Sequence, residues 1–159
     1  MEKQIQIQFK LLDIKELQFA NLANKWPEGE LQIGQQLQFN CDTEKRILVC
    51  KTHFEYKKND ITQLIFSMQT SIEFAREGWS AMYQLQGDQW VIPAGLLQHL
   101  AGITIDAARG MLALRSEEAG LPKLILPLVN PAQILKNNVS FKRNPGQPDM
   151  PFGGVNGNA

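Results

Sequence analysis

The sequence predicts an α+β fold: a four-stranded antiparallel sheet, followed by a long helix and a short C-terminal helix that pack on one face of the sheet. Two observations carry this prediction. The first half of the chain alternates apolar and polar residues with the period of a strand, in four segments separated by polar turns. The second half has the apolar spacing of a helix, which ends at Gly120-Leu121-Pro122. Because one sheet face cannot close a core alone, the helices should cover it.

The first predicted strand begins at Ile5 and carries apolar residues at every second position. The alternation fails at Leu11-Leu12 and resumes at Leu17. A bulge or kink near Asp13 would explain this change of phase, because one extra residue moves the following side chains to the other face.

Three further strands with clear alternation follow a loop that contains Trp26. Their apolar positions are Leu31, Ile33, Leu37, Phe39 and Cys41; Leu48, Cys50, Phe54 and Tyr56; and Leu64, Phe66, Met68, Ile72 and Phe74. Short polar turns near Asp42 and Asn59 separate them, which predicts a sequential antiparallel meander. Cys41 and Cys50 would then lie on adjacent strands and face the core as small hydrophobes.

The second half supplies the predicted helices. The stretch from Glu77 to Gln89 has no clear periodicity, and we expect it to be irregular. Pro93 suits the first turn of a helix that Gly102 would interrupt. The longest predicted helix runs from Ile105 to Glu118, with Thr104 as its N-cap.

The rest of the chain completes a single predicted domain over residues 1–143. In the long helix, Ala108, Met111, Leu112 and Leu114 should face inward. A last short helix is expected from Pro131 to about Asn138. Residues 144–159 are rich in Pro, Gly and Asn, so we expect a disordered tail.

Composition narrows the class of protein. Apolar residues make up 43% of the 159 residues, enough for a real core. Lys plus Arg equals Asp plus Glu at 16 each, which argues against nucleic acid or a membrane surface as partners. No apolar leader is visible at Met1, so we expect a cytoplasmic protein.

No catalytic or metal-binding constellation is evident in the sequence. His53 and His99 have no carboxylate or cysteine at ligand spacing, so we expect no metal. No nucleophile, base and orienting group can be assembled by spacing, and no cofactor motif is present. The sequence therefore favours a protein that is not an enzyme.

Three pieces of the sequence, in this order, carry a resemblance to a known family. They are Gln6-Ile7-Gln8 followed by Lys15, Glu16 and Phe19; Lys25-Trp26-Pro27-Glu28; and the block from Ala108 to Asn130, with Ala108-Arg109, Gly120-Leu121-Pro122, Leu124, Leu126 and Val129-Asn130. In this order and spacing the chain resembles the SecB protein-export chaperone family, as a divergent member, over roughly residues 6–141. The second piece lies where the family keeps a crossover loop that contains Trp.

The resemblance implies a chaperone that works without ATP and without a cofactor. It implies a homotetramer, built as a dimer of dimers, that holds unfolded precursor polypeptides in apolar grooves and passes them to the SecA translocation motor. The implied groove runs between the crossover loop and the last helix. Its walls would be Trp26, Leu31, Ile33, Ile134, Leu135 and Val139.

The resemblance also implies a motor-docking surface at Glu16, Ile65 and Ser67. The family has acids where this chain has Ala20 and Ser67. Because charges at an interface rim mainly set association rate and specificity, the loss of two acids weakens the case for motor docking. The sequence therefore favours a chaperone that holds clients over a dedicated secretion factor.

Several alternatives stay open at this point. Trp26 is either a client anchor or a lid on the core, and the spacing of Ile134, Leu135 and Val139 also suits ordinary helix packing. The client could be a single protein, such as the antitoxin of a toxin–antitoxin system. A non-catalytic oligomeric scaffold or ligand-binding protein is a further alternative, in which the grooves are closed.

Overall fold

The computed structural model describes residues 7–143. Its first half is a four-stranded antiparallel sheet in the order β1-β4-β3-β2, with β1 and β2 at the two edges. The strands are β1 (Phe9–Asn21), β2 (Gln32–Asp42), β3 (Ile47–Lys58) and β4 (Ile61–Phe74). The predicted meander of β2, β3 and β4 is confirmed. The segment of residues 22–31 connects the two edges, since β1 pairs with β4.

Strand β1 departs from regular alternation twice. Its register against β4 shifts between Leu11 and Asp13, which confirms the predicted bulge, and again between Glu16 and Gln18. The second shift was not expected: Leu17 is the extra residue there, and its side chain is exposed rather than part of a resumed apolar face.

The turns of the meander follow from local chemistry. Between β2 and β3, the Asp42 carboxylate accepts hydrogen bonds from the backbone N–H groups of Glu44 and Lys45. Between β3 and β4, Asn59 and Asp60 both have positive φ, at 51° and 63°. Two left-handed residues form the tight turn that matches the twist of the flanking strands, and Asn and Asp tolerate this conformation well.

The stretch expected to be irregular contains regular elements, so that expectation was wrong. It forms α1 (Arg76–Ala81) and β5 (Tyr83–Gln84), and it leads into β6 (Gln89–Ile92). A second sheet in the order β5-β6-β7 includes the distant strand β7 (Val139–Lys142). This sheet and α1 place Trp79 and Trp90 face to face, with ring centroids 4.9 Å apart.

A single helix, α2 (Ala94–Glu118), replaces the interrupted pair that the sequence suggested. Pro93 is its N-cap residue and Gly102 lies inside it. Thr104 is not an N-cap: it is buried, donates to the carbonyl of Leu100 at 2.8 Å and hydrogen-bonds to Thr70 on β4. Packing on the sheet therefore outweighs the propensity cost of one glycine.

The inward face of α2 agrees with the sequence at most positions. Ala108 and Leu112 are buried and Met111 is half-buried, whereas Leu114 is exposed and does not face inward. The helix ends before Gly120, whose φ of 72° suits glycine. Leu124 and Leu126 of the extended connector that follows are buried against the sheet and helix.

The last helix is shorter than predicted. Helix α3 covers only Pro131–Ile134, with the Asn130 side chain accepting from the N–H of Ala132 as an N-cap. The chain is already extended at Leu135, and residues 135–138, which were expected to continue the helix, form an irregular link to β7 instead. The predicted C-terminal tail lies outside the described residues.

The core consists of two apolar clusters on the inner face of the sheet, where α2 packs. The first cluster joins one end of the sheet to α1, the small sheet and the start of α2; it includes Cys41 and Cys50, which face inward as predicted. The second joins the other end to the later half of α2 and the connector. None of the helices within residues 7–143 is long and apolar enough to cross a bilayer.

Candidate functional site

The crossover loop and the start of β2 place three of the predicted client-binding residues on the rim of the second cluster. Trp26, Leu31 and Ile33 are half-buried and pack against that cluster. The Trp26 ring lies tilted against Tyr56, with centroids 6.5 Å apart. Burial raises the pKa of the Tyr56 phenol from 10.0 to about 12, so the ring that supports Trp26 stays neutral even at pH 10.

The other three predicted residues belong to the first cluster. Leu135 and Val139 are buried, Ile134 is half-buried, and Val139 lies in strand β7 rather than on a helix. The Gln98 side chain donates to the carbonyl of Leu135 at 2.6 Å, which fixes this segment against α2. The structure thus brings the six residues together in two groups of three, one on each cluster.

The predicted motor-docking residues are divided between the two faces of the sheet. Glu16 lies opposite the buried Met68 and therefore points to the inner face. There its carboxylate accepts from Arg115 Nε at 3.1 Å, and the guanidinium of Arg115 covers the Phe19 ring. Ile65 and Ser67 lie on the outer face, because both alternate with buried inner residues of β4. Glu16 is engaged within its own chain and separate from the other two.

A chain of polar contacts crosses the outer face from β4 to β3. His53 Nδ1 lies 2.6 Å from Ser67 Oγ, and His53 Nε2 lies 3.1 Å from Glu55 Oε1. Lys57 Nζ approaches the other Glu55 oxygen at 3.4 Å. The hydrogen bond from His53 and the contact with Lys57 lower the pKa of Glu55 below its usual value.

This order of serine, imidazole and carboxylate is not arranged for nucleophilic attack. Ser67 is only 2% exposed, so its Oγ is covered and faces His53 rather than an open cavity. The sequence interpretation missed the pairing of His53 with Glu55. The signal was available, because residues two apart on one strand share a face.

Beside the polar contacts of His53, Glu55 and Lys57, the edge strand β2 borders an open cleft of about 340 Å³. Its floor is Gly34, where a Cβ atom would meet nothing within 4 Å. The cleft is lined by Gln32, Ile33, Gly34, Gln35, Gln36, His53, Glu55 and Lys57. Among residues 7–143, no three His, Cys, Asp or Glu side chains lie close enough to hold a metal ion.

The opposite edge strand exposes a row of aliphatic side chains that the sequence interpretation did not single out. Leu11, Leu12, Ile14 and Leu17 of β1 are 48, 42, 46 and 37% exposed. The failed alternation at Leu11-Leu12 was the available signal, because apolar residues on both faces of an edge strand cannot all be covered by one helix layer.

No protein-family model matches the chain, and no curated protein matches it. Among solved structures, the chain is similar to the SecB-like chaperone Rv1957 of Mycobacterium tuberculosis, solved in complex with a ChAD peptide from the Rv1956 HigA1 antitoxin. The identity is 12%, the TM-score is 0.49, and the match covers 76% of this chain and 90% of that chain.

Proposed function

We propose that this protein is an ATP-independent chaperone that holds unfolded polypeptides on apolar surface. The observation that carries the proposal is the half-buried apolar rim of Trp26, Leu31 and Ile33 on the second cluster. Apolar surface of this kind binds extended apolar segments by the area removed from water, without reading a particular sequence. The motifs shared with the SecB family, quoted above, point to the same activity.

The alternative of a non-catalytic scaffold with closed grooves agrees less well with the incomplete burial of this rim. It requires Trp26 and Leu135 to be closed into the core, and Leu135 does meet this condition at 1% exposure. Trp26 does not, since it is only half-buried where it packs against the Tyr56 ring. We therefore assign client binding to the rim of Trp26, Leu31 and Ile33. Leu135 and Val139 have a packing role.

The proposal does not extend to docking on the SecA motor. Glu16 is already paired with Arg115, and Ala20 and Ser67 supply no charge on the outer face. A holdase with a broad or a single client, including an antitoxin, needs none of these acids. Direct binding to the motor's C-terminal tail at low salt would contradict this part of the proposal.

We further propose that the exposed row on β1 is covered by a second copy of the chain. Antiparallel pairing of two β1 strands centred on Ile14 places Asp13 of each copy opposite Lys15 of the other. Neither side chain has an ion-pair partner within the described residues. The pairing would form one Asp13–Lys15 ion pair on each side of the two-fold axis that relates the two copies. Opposite charges directly across strands are stabilising, and the same step would bury Leu11, Ile14 and Leu17. It would be one interface of the tetramer that the family resemblance implies.

The holdase proposal is tested by following light scattering while a denatured client protein refolds and aggregates. We expect the wild-type protein at an equimolar ratio to suppress aggregation without nucleotide. Trp26→Ala should weaken this suppression, whereas Trp79→Phe, in the stacked interior of the first cluster, should not. Unchanged aggregation at a large molar excess of wild-type protein would contradict the proposal.

A further inference from the structure

We infer that the free edge of β2 binds a client segment by strand addition, with an aromatic side chain of the client lying over Gly34. This inference rests on the proposed holdase function and deepens it, because it names the part of the client that is recognised. The occupant is an extended segment of an unfolded polypeptide that carries a Phe, Tyr or Trp.

The two edges of the sheet differ in ways that decide which one accepts an arbitrary strand. Strand β1 carries Lys10, Asp13, Lys15 and Glu16 and has two register shifts, and both features discourage indiscriminate pairing. Strand β2 has no charged residue and no proline from Gln32 to Cys41. Its ladder with β3 also runs through Gln32–Asp42, all within the described residues, without a register shift.

An uncharged and regular edge presents backbone groups that any extended chain can use. Alternate residues of β2 direct their N–H and C=O groups away from β3, and no other strand of residues 7–143 pairs with this side. Hydrogen bonds to such an edge supply affinity independent of the client's sequence, while side-chain pockets supply the preference. A holdase requires this combination.

The cleft over Gly34 supplies the side-chain pocket. On the outer face Gly34 lies between Gln32 and Gln36 on its own strand and beside Glu55 on β3. The cleft has a volume of about 340 Å³, and the space over Gly34 is open because no side chain stands there. Cavities of roughly 300 to 1,000 Å³ hold whole small ligands, so one aromatic ring fits here.

An aromatic residue is the occupant that this pocket suits best. A ring on a neighbouring strand covers the bare backbone of a glycine in an edge strand, which restores the packing that the glycine lacks. The Lys57 amine at the cleft wall adds a cation that can lie on a ring face. Because His53 and Lys57 are both held by Glu55, the wall is ordered before a client arrives.

The test uses the full chain and four short soluble peptides of one extended sequence. The first has Phe at its centre and the second has Ala there. The third and fourth keep the Phe and carry N-methyl groups on alternate amides, each on one of the two alternating sets. We expect the Phe peptide to bind more tightly than the Ala peptide. One set of methyl groups should weaken binding by about fivefold per lost hydrogen bond, while the other set has little effect.

The protein variant that isolates the cleft is Gly34→Thr. Gly34 has no positive φ and open space at its Cβ, so this variant should fold with an unchanged or higher melting temperature. It should lose the preference for Phe over Ala. Gln38→Thr, on the same strand and face but outside the cleft, is the matched control and should keep that preference.

The outcomes separate this inference from the holdase proposal. Suppression of aggregation together with equal binding of the Phe and Ala peptides, or of both methylated sets, overturns strand addition over Gly34 and leaves the holdase in place. Binding that depends on Phe and on one methylated set, without suppression of aggregation, supports strand addition and overturns the holdase. A Gly34→Thr variant that binds the Phe peptide as the wild type does also overturns the inference.

Discussion

Arg109 on α2 holds Leu126 of the connector in the core. Its Nε donates to the carbonyl oxygen of Leu126 at 3.1 Å, and a second guanidinium nitrogen donates to the carbonyl of Pro127 at 3.0 Å. Asp106, one turn earlier, orients the guanidinium at 2.6 Å. The side chain of Leu126 can therefore be buried without leaving its carbonyl oxygen unpaired.

Replacing Arg109 with Ala should destabilise the protein by about 2 kcal/mol, because hydrogen bonds to a charged group are lost at a partly buried site. Arg109→Lys should recover little of this, since an ammonium cannot reach two carbonyls in a fixed fork. Urea unfolding measures the effect. Lys123→Ala on the exposed part of the same connector is the control. Equal stabilities of the Arg109→Ala variant and the wild type would show that the connector does not depend on this contact.

The buried contact between Thr70 and Thr104 joins the sheet to α2 at a point between the two apolar clusters. Thr104→Val should cost about 1 to 3 kcal/mol, because it leaves the buried Thr70 hydroxyl without its partner. The double variant with Thr70→Val should recover part of that loss, since neither hydroxyl then remains. A double-mutant cycle from urea unfolding measures the coupling. Strictly additive effects would contradict the contact.

Alkaline pH should destabilise the protein through its buried thiols. Burial raises the pKa of Cys41 and of Cys50 from 9.0 to about 12. A raised pKa means that the folded state holds the proton more tightly than the unfolded state. The stabilising effect is therefore complete below pH 9 and is lost as the pH rises from 9 toward 12.

The measurement for this prediction is the free energy of unfolding in urea at a series of pH values from 8 to 11. Replacing both cysteines with Ala will lower stability at every pH by creating space in the core, so the informative quantity is the slope with pH. We expect the double variant to lose less stability than the wild type between pH 9 and 11. Identical slopes would contradict the raised pKa values.

Self-association through β1 should depend on the opposite charges of Asp13 and Lys15. Asp13→Lys or Lys15→Asp alone would place like charges opposite each other and should weaken association, whereas the double exchange should restore it. Analytical ultracentrifugation at low and high salt measures the assembly. Lys45→Asp, in the β2–β3 turn, controls for a change of net charge. A double exchange that stays dissociated would argue against pairing centred on Ile14.

The sheet was predictable because its information is local. Residues such as Phe39, Cys50 and Phe66 alternate with polar neighbours over whole strands, and short turns leave few other ways to pair them. Even the first irregularity of β1 was visible, since Leu11-Leu12 breaks the alternation.

The second half was less predictable because distant residues decide it. Gly102 and Thr104 suggest a helix break, yet the helix continues through both residues and packs on the sheet, where Thr104 hydrogen-bonds to Thr70, 34 residues away. Strand β7 pairs Phe141 with Trp90, a contact that no periodicity near Val139 indicates. Tertiary packing overrides local propensity at such positions.

The candidate site shows the same division. The resemblance implied one groove of six residues; Trp26, Leu31 and Ile33 do lie together on one cluster, whereas the other three lie on the first cluster. Client binding by these residues stays a prediction. The side of the sheet on which Glu16 lies could not be predicted, because it depends on the bulge at Leu12 and on Arg115, 99 residues away. The cleft at Gly34 depends on which strands form the sheet edges, and the alternation pattern does not specify this order.

The most direct test of the holdase is the solution mass of the protein with and without a permanently unfolded client, measured by light scattering after size-exclusion chromatography in the absence of nucleotide. We expect a discrete complex whose mass exceeds that of the free protein by the mass of bound client, and less of this complex with Trp26→Ala. Two separate peaks with unchanged masses, at protein concentrations that suffice for micromolar binding, would contradict it.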